Sequence, residues 1–305
     1  MSQRLQMLQV ARLARRTLGD SADLVVSFIR SLAAAGGGYC NRGGVPDLYY
    51  TSFALDALVA LDSLPPGDEA ARATAAWLDA SFGDGRRLDF VHRCCLARAW
   101  AAQPSALCLP KKLCLPDRRA EIAATLTSHR AADGGYASRA GASRGTAYGC
   151  FLAVNAHADL KQELPDPEGV VRCIESLRSG DGAWSNEPDQ PEGSTTATAA
   201  AVATLRSLGR PAPPGIADWF LARLHPAGGF TAAADAPIPD LLSTAVALHA
   251  LDALEAPWRA HRESVLDFLD SLWSAEGAFH GSWADDQPDA EYTFYGLVAL
   301  GHASV

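Results

Sequence analysis

The chain has 305 residues, of which 48% are hydrophobic and 20% are charged, and its formal net charge is −9 at pH 7. An acidic balance without any block of basic residues argues against nucleic acid as a partner, because a phosphate backbone would be repelled. Seven cysteines, an arginine-containing amphipathic start and the lack of any apolar stretch long enough to span a bilayer predict a cytoplasmic protein without a membrane span.

A short motif, in which a glycine pair or Asp-Gly precedes an aromatic residue, recurs along the chain. Its copies are Gly37-Gly38-Tyr39, Gly134-Gly135-Tyr136, Gly182-Ala183-Trp184, Gly228-Gly229-Phe230 and Gly277-Ala278-Phe279. The last four aromatic residues are 48, 46 and 49 residues apart, and a degenerate copy at Asp84-Gly85 fills the gap after the first. Six copies at one period predict a repeat architecture.

Helices of two kinds alternate along these repeats, and alanine-rich runs favour helix over sheet throughout. Residues 3–18 are predicted to be helical, with residues 1–20 as an extra N-terminal element, and residues 22–33 form the first amphipathic helix. Helices that are apolar all round are predicted near 50–64, 89–102, 146–158, 195–208, 242–254 and 291–303. Helices with one charged side are predicted near 68–82, 117–130, 167–178, 213–224 and 261–273.

Such an alternation predicts one all-α domain over residues 1–305, a closed α/α toroid of six inner and six outer helices. The N-termini of the inner helices and the Gly-aromatic loops would then surround one mouth of a central cavity, where a site is expected.

The pattern Gly-Gly-aromatic, loop, Asp, Tyr-Thr, Ala/Leu helix resembles the repeat of prenyltransferases and squalene cyclases. The copies Gly37 to Leu61 and Gly277 to Leu300 are most similar to the β subunits of protein prenyltransferases. The resemblance covers nearly the whole chain, and it implies an aromatic-lined cavity that accepts an isoprenoid or terpenoid chain. It places Asp240, Asp289, Glu291 and Tyr292 at or beside the catalytic positions.

The zinc ligands of that family are not all present here. Asp240 stands at the position of the aspartate ligand, but Leu242 replaces the cysteine and Tyr292 replaces the histidine, so zinc is not expected. The family's cationic diphosphate site is also missing, since Glu192 occupies its histidine position and only Arg144 matches an arginine approximately. The resemblance and the aromatic residues of the inner helices give these substrate-binding candidates: Tyr50, Phe53, Trp100, Arg144, Tyr148, Phe151, Glu192, Phe294 and Tyr295.

The string Asp285-Asp286-Gln287-Pro288-Asp289 has the Asp-Asp-x-x-Asp form with which class I terpene synthases hold magnesium, and carboxylates suit that ion. The alternative is a solvated acidic loop that caps the helix after it. The Asp-x-Asp-Asp acid motif of squalene-type cyclases does not occur in the chain. Acid-initiated cyclisation by that device is therefore not expected.

Three functional classes stay open from the sequence. The first is a transferase acting on an allylic diphosphate or terpenoid, with magnesium at an acidic mouth where Asp240, Glu192, Asp289 and Glu291 converge. The second is a non-catalytic isoprenoid or lipid binder, and the third is a module that presents the acidic mouth to a protein partner. His249 and His302, on apolar inner helices, are predicted to be hydrogen-bonded core or lumen residues.

Overall fold

The described part of the chain, residues 2–64, 69–83, 88–103 and 116–305 of a computed structural model, is mainly helical. Its helices, in chain order, are α1 Gln3–Ala11, α2 Ala14–Leu18, α3 Ala22–Ser31, α4 Leu48–Ala60, α5 Glu69–Gly83, α6 Phe90–Ala102, α7 Pro116–Thr127, α8 Ala147–Leu160, α9 Pro167–Ser176, α10 Thr195–Ser207, α11 Ile216–Leu221, α12 Leu241–Ala253, α13 Arg262–Ser271 and α14 Ala290–Ala303. The degenerate copy at Asp84-Gly85 lies outside the described residues.

Six of these helices, α4, α6, α8, α10, α12 and α14, form the inner ring of the described structure. Each packs against the next, and α14 packs against α4, which closes the ring. The helices α3, α5, α7, α9, α11 and α13 form the outer layer. The predicted closed α/α toroid is confirmed.

Helix boundaries agree with the prediction to within a few residues, with two exceptions. The outer helix predicted over 213–224 is only α11, because Pro213 and Pro214 lack backbone donors and disfavour helix in the residues before them. The N-terminal helix predicted over 3–18 is broken into α1 and α2 by a turn at Arg12 and Leu13.

The repeated motif is explained by one hydrogen bond that recurs between a loop and an inner helix. The backbone N–H of Phe230 donates to the Thr244 hydroxyl at 2.8 Å, and Tyr39 does the same to Thr51 at 2.8 Å. Gly228 precedes this contact with φ +85°, and a Cβ on it would lie 1.8 Å from the Ser264 carbonyl oxygen. Only glycine fits that close approach without strain.

The polar residue before each inner helix is its N-cap. The residues in this position are Asp47, Asp89, Thr146, Ser194, Asp240 and Asp289, and each side chain accepts a backbone N–H from the first turn. These caps fix where the inner helices begin, and they bring the six helix N-termini to one mouth of the ring.

Two short antiparallel strand pairs accompany the first and last loops and were not anticipated from the sequence. Strand β1 Tyr39–Cys40 pairs with β2 Pro46–Asp47, with Tyr39 opposite Asp47, and β3 Trp273–Ser274 pairs with β4 Ala278–Phe279, with Trp273 opposite Phe279. Each hairpin holds a Gly-aromatic loop against the helix that follows.

The other end of the ring is covered by α1, which packs against α14, α4 and α8. Arg4 of α1 donates to Asp56 at 2.7 Å, and Arg98 of α6 donates to the second oxygen of Asp56 at 2.7 Å. The Asp56 side chain is completely buried. We call this end the floor of the ring, and the opposite end the mouth.

Candidate active site

A cavity of about 490 Å³ lies inside the inner ring, a volume within the range typical of small-molecule sites. Its longest walls are α10 and α12. The sequence of α10 is rich in alanine, and Ala197, Ala200 and Ala203 line the cavity one helical turn apart. Small side chains on this helix leave the space that larger residues fill elsewhere in the ring.

The cavity has an apolar lining with a few polar groups. The polar and aromatic lining residues are Gln3, Tyr49, Tyr148, Phe151, Asn186, Thr196, Arg206, His249, Glu291 and Tyr295. Glu291 and Leu242 belong to the first turns of their helices, near the mouth, whereas Arg206 and His249 lie further along theirs, towards the floor.

Glu291 is the acidic residue of the cavity wall. The Tyr49 hydroxyl donates to its Oε1 at 2.5 Å, and no salt bridge reaches its carboxyl group from the described residues. Burial raises the pKa of Glu291 to about 7, against a lowering by the Tyr49 hydrogen bond; the charge of Asp289 raises it further, and Arg98 and Arg42 lower it. A large share of the Glu291 side chains therefore carries a proton at neutral pH.

Three phenols surround this carboxyl group. Burial raises the pKa of Tyr49, Tyr148 and Tyr295 well above the ordinary value, so each stays a neutral hydroxyl. Asn186 accepts from the backbone N–H of Tyr148 at 2.9 Å and fixes the start of α8 at the mouth. The Glu291 end of the cavity is thus aromatic, uncharged at low pH and held by hydrogen bonds.

The carboxylates of the rim are paired with a cation that sequence reasoning missed. Arg42 donates from Nε to Asp289 and from Nη2 to Asp285, both at 2.8 Å, and its guanidinium lies over the Tyr292 ring at 5.4 Å from the centroid. This ion pair could not be predicted from the sequence, because Arg42 and Asp289 are separated by 247 residues. Asp286, between the paired residues, is exposed.

The four acidic residues that were predicted to converge have different partners in the structure. Asp289 and Glu291 are neighbours whose charges interact. Asp240 is the N-cap of α12 and accepts the Ser243 N–H at 2.7 Å. Glu192 is exposed, and its charge acts on Arg223 beside the outer helix α11. The copies are in register, and the two aspartates among the four, Asp240 and Asp289, cap their own helices.

Comparison with known proteins agrees with this architecture. The model of the prenyltransferase alpha-alpha toroid domain matches residues 3–217 and 212–303, nearly the whole chain. The chain belongs to the prenyltransferase α/α-toroid family. No curated protein matches it in sequence.

Among solved structures, the toroid is similar to an Asp-to-Asn variant of the type II terpene cyclase MstE from Scytonema. That structure was determined in complex with its substrate, geranylgeranyl dihydroxybenzoate. The TM-score is 0.58 at 13% sequence identity, and the match covers 95% of this chain and 97% of the cyclase chain. Within the described residues, no helix is both long and apolar enough to cross a membrane.

The residues at the positions of the zinc ligands in the prenyltransferase resemblance do not fit a zinc ion. Leu242 lines the cavity with hydrocarbon, and Tyr292 lies beneath Arg42, so neither supplies the sulfur or nitrogen donor that zinc prefers. Among the residues described, no three His, Cys, Asp or Glu side chains are arranged to hold a metal ion. The absence of zinc from the protein stays a prediction.

The magnesium candidates Asp285, Asp286 and Asp289 have structural partners. Two of them bind Arg42, and Asp289 also caps α14 through the Tyr292 N–H at 2.8 Å. This arrangement matches the alternative interpretation of the string as an acidic, helix-capping loop.

Of the predicted substrate-binding residues, Tyr148, Phe151 and Tyr295 line the cavity. Four others lie elsewhere. Phe53 and Phe294 are buried in the core behind the wall, in contact with each other at 5.9 Å between centroids. Trp100 stacks on Phe82 of α5, away from the lumen, because it lies on the outward face of α6. Tyr50 is partly exposed and is not part of the cavity wall, where its neighbour Tyr49 takes the place expected for it.

Arg144, which was predicted to bind substrate, is exposed and pairs with the exposed Asp189 at 3.4 Å. Sequence reasoning missed Tyr49, Asn186 and Arg206. The alanine run of α10 could have indicated where the cavity lies, because a helix of small residues leaves space beside it that larger side chains would fill.

Proposed function

We propose that this protein catalyses an acid-initiated cyclisation or isomerisation of an uncharged polyprenyl compound, with Glu291 as the proton donor. The proton of the Glu291 carboxyl group is transferred to a carbon–carbon double bond of the substrate. The π electrons form the new C–H bond, and a carbocation is left within the cavity. Further double bonds of the substrate then react with the cation to close rings.

The observation that carries this proposal is the environment of Glu291. A general acid must be protonated at the working pH and must face the reacting group. Glu291 lies on the wall of an apolar cavity, hydrogen-bonded to a phenol and to no cation among the described residues, and its pKa is about 7. Burial stabilises the protonated form of this carboxyl group relative to the ionised form.

The aromatic lining gives a second support. Tyr49, Tyr148, Phe151 and Tyr295 line the same cavity as Glu291. Aromatic rings attract cations through their negative faces, and they do so without a nucleophilic lone pair directed at the cation. The similar fold of a type II terpene cyclase with a bound geranylgeranyl compound is consistent with a polyprenyl ligand of this length.

A transferase that acts on an allylic diphosphate has less support. A diphosphate needs several cations or a metal to balance its charge. Arg206 is the one Arg or Lys among the described residues of the cavity wall, and it lies towards the floor. Arg42 is held by two aspartates, and Arg144 is bound to Asp189 at the surface.

Assays with geranylgeraniol and with geranylgeranyl diphosphate test the proposal. The alcohol should be converted to a cyclic isomer of the same mass, and in heavy water the product should contain deuterium from the acid. Glu291→Gln keeps the shape of the side chain but not the donated proton, and it should lower the rate by about 10²- to 10⁴-fold. The rate should also fall as the pH rises through about 7, because Glu291 loses its proton.

Asp286→Asn is the matched control, since it makes the same carboxyl-to-amide change at an exposed rim residue. It should keep the wild-type rate. Conversion by Glu291→Gln at the wild-type rate, or release of diphosphate from the charged substrate, would contradict the proposal. Tight binding of geranylgeraniol without conversion would instead support the non-catalytic binder.

A further inference from the structure

Two buried histidines connect the floor half of the cavity with the surface. His249 of α12 lines the cavity, and its Nδ1 lies 3.0 Å from Nε2 of His302 on α14. His302 Nδ1 lies 2.5 Å from Oδ2 of Asp252, which is partly exposed. The Trp258 indole and the Arg259 guanidinium donate to Asp252 as well, at 2.6 Å and 2.9 Å.

The ionisation of Asp252 sets the direction of these hydrogen bonds. Burial would raise its pKa, but hydrogen bonds from His302 and Trp258 outweigh this and lower it to about 2. A carboxylate only accepts, so His302 donates from Nδ1 and its Nε2 is an acceptor. His249 then donates from Nδ1, and its Nε2, with a free lone pair, is the nitrogen left for the cavity.

His249 is held in the neutral, basic form by its surroundings. Burial lowers its pKa to about 3. A proton on His302 of α14 would lower this pKa further, as the charge of Arg206 on α10 does, and Asp252 on its own helix raises it. His249 is also separated from the acid. Leu242, in the first turn of α12, and His249 both line the cavity, and seven residues of helix span about 10 Å along its axis.

We propose that His249 is the base that ends the reaction, and that His302 and Asp252 carry the proton from it to solvent. The inference rests on the proposed function. A C–H bond next to the final carbocation breaks, its electron pair forms the product double bond, and the proton goes to His249 Nε2. The Nδ1 proton of His249 then passes to His302 Nε2, and the Nδ1 proton of His302 passes to Asp252.

The proton balance is closed by solvent at both ends. Asp252 releases its proton to water. Once the product has left, proton exchange with water in the open cavity and at Asp252 returns both imidazoles to their starting tautomers, and the Glu291 carboxylate regains a proton from water before the next turnover. Substrate and product are isomers, so no oxidant or reductant is required. The acid near the mouth and the base towards the floor fix the direction in which a polyprenyl chain reacts.

Product analysis with geranylgeraniol separates this role from that of Glu291. His249→Phe should still consume substrate, but about ten- to a hundredfold more slowly. Its products should change in the position of the last double bond and include alcohols formed by capture of water. His302→Gln and Asp252→Asn should keep the main product and slow its formation, because the base remains but the proton leaves slowly.

His157→Gln is the matched control. This imidazole is also buried, but it bonds the Ala153 carbonyl oxygen at 2.8 Å and is not part of the cavity wall. It should alter neither rate nor product. If Glu291→Gln is inactive but His249→Phe has the wild-type rate and products, the role of His249 alone is wrong. If Glu291→Gln is fully active, Glu291 is not the acid, and the reaction that His249 would end is wrong as well.

A measurement on the wild-type protein needs no turnover. Nitrogen-15 NMR of labelled histidines should show a coupling across the His249–His302 hydrogen bond and an unprotonated His249 Nε2 from pH 8 to pH 5. A proton on His249 Nε2 in that range would overturn the proposal, even if a His249 variant failed to fold.

Discussion

Asp56 is a buried carboxyl group and Glu291 a partly buried one on the neighbouring inner helix, and their partners are of opposite kinds. Asp56 is fully buried and accepts from two guanidinium groups, Arg4 and Arg98, each at 2.7 Å. Glu291 accepts from the phenol of Tyr49 and has burial as the largest influence on its pKa. The comparison teaches that burial favours the protonated form of a carboxyl group that has no cationic partner, whereas guanidinium groups allow a carboxylate to be buried in an ion pair.

Arg98 connects the two sites. Its guanidinium binds Asp56 and lies over the rings of Phe53 and Phe294, at 4.3 Å and 5.2 Å from the centroids. Its charge also lowers the pKa of Glu291, but from a greater distance than a direct ion pair. The Arg98 guanidinium therefore forms its ion pair with Asp56 at the floor. It forms none with Glu291 on the cavity wall, which can hold its proton.

The largest expected effect is on the ion-paired carboxylate. Asp56→Ala leaves two buried guanidinium groups without their counter-charge, so it should lower the free energy of unfolding by about 3 to 5 kcal/mol. Urea denaturation followed by circular dichroism measures this. Asp286→Ala removes an exposed carboxylate and should change the same quantity by less than about 0.5 kcal/mol. A similar small change for both variants would show that the Asp56 pair is not a structural unit.

The second effect is the pH dependence of stability that Glu291 contributes. Its pKa is about 7 in the folded protein, above the ordinary value of 4.5, so the folded state holds the proton longer than the unfolded chain. Stability from this group is present below pH 4.5 and is lost as the pH rises to 7 and beyond. The loss should be on the order of 3 kcal/mol.

Denaturation of wild type and Glu291→Gln between pH 4.5 and pH 8 isolates this contribution. Burial raises the pKa of Asp159 to about 6, so this group titrates in the same window, but it is common to both proteins and cancels in the difference. The variant should lose less stability than wild type as the pH rises. Parallel curves for the two proteins would mean that Glu291 has an ordinary pKa.

The smallest effect concerns the phenol. The Tyr49 hydroxyl stabilises the ionised form of Glu291, so Tyr49→Phe should raise the pKa of that carboxyl group further, by on the order of one unit. Carbon-13 NMR of labelled glutamate measures it. Tyr50→Phe is the control, because Tyr50 is the adjacent tyrosine but is not part of the cavity wall. A downward shift in Tyr49→Phe would refute the assigned direction of the hydrogen bond.

The fold could be predicted from the sequence because short-range interactions within each repeat define its helices and loops. The aspartates at 47, 89, 240 and 289 cap helices, and Thr51 and Thr244 bind the loops in front of them. All of these contacts are made within about fifteen residues. They recur at a fixed period, and so they can be read without knowledge of the tertiary structure.

The site could not be predicted in the same way, because its contacts join distant repeats. Tyr49 and Glu291 are 242 residues apart, and His249 and His302 are 53 apart. The resemblance to prenyltransferases directed attention to Asp240 and Asp289, which in this chain are helix caps. The neighbouring Glu291 was among the candidates, but its protonated state depends on burial that only the closed ring provides.

The pairing of α4 with α14 has a consequence for synthesis of the protein on the ribosome. Until residues 290–303 have emerged, the growing chain is an open arc whose inner helices expose apolar faces to water. Contacts between segments so far apart in sequence form slowly, and exposed apolar surface favours aggregation. Since α1 also packs against α14, the first helix to be synthesised cannot complete its packing until the last one has been made. A nascent chain stalled before α14 should therefore be a substrate for chaperones in a way that the finished ring is not.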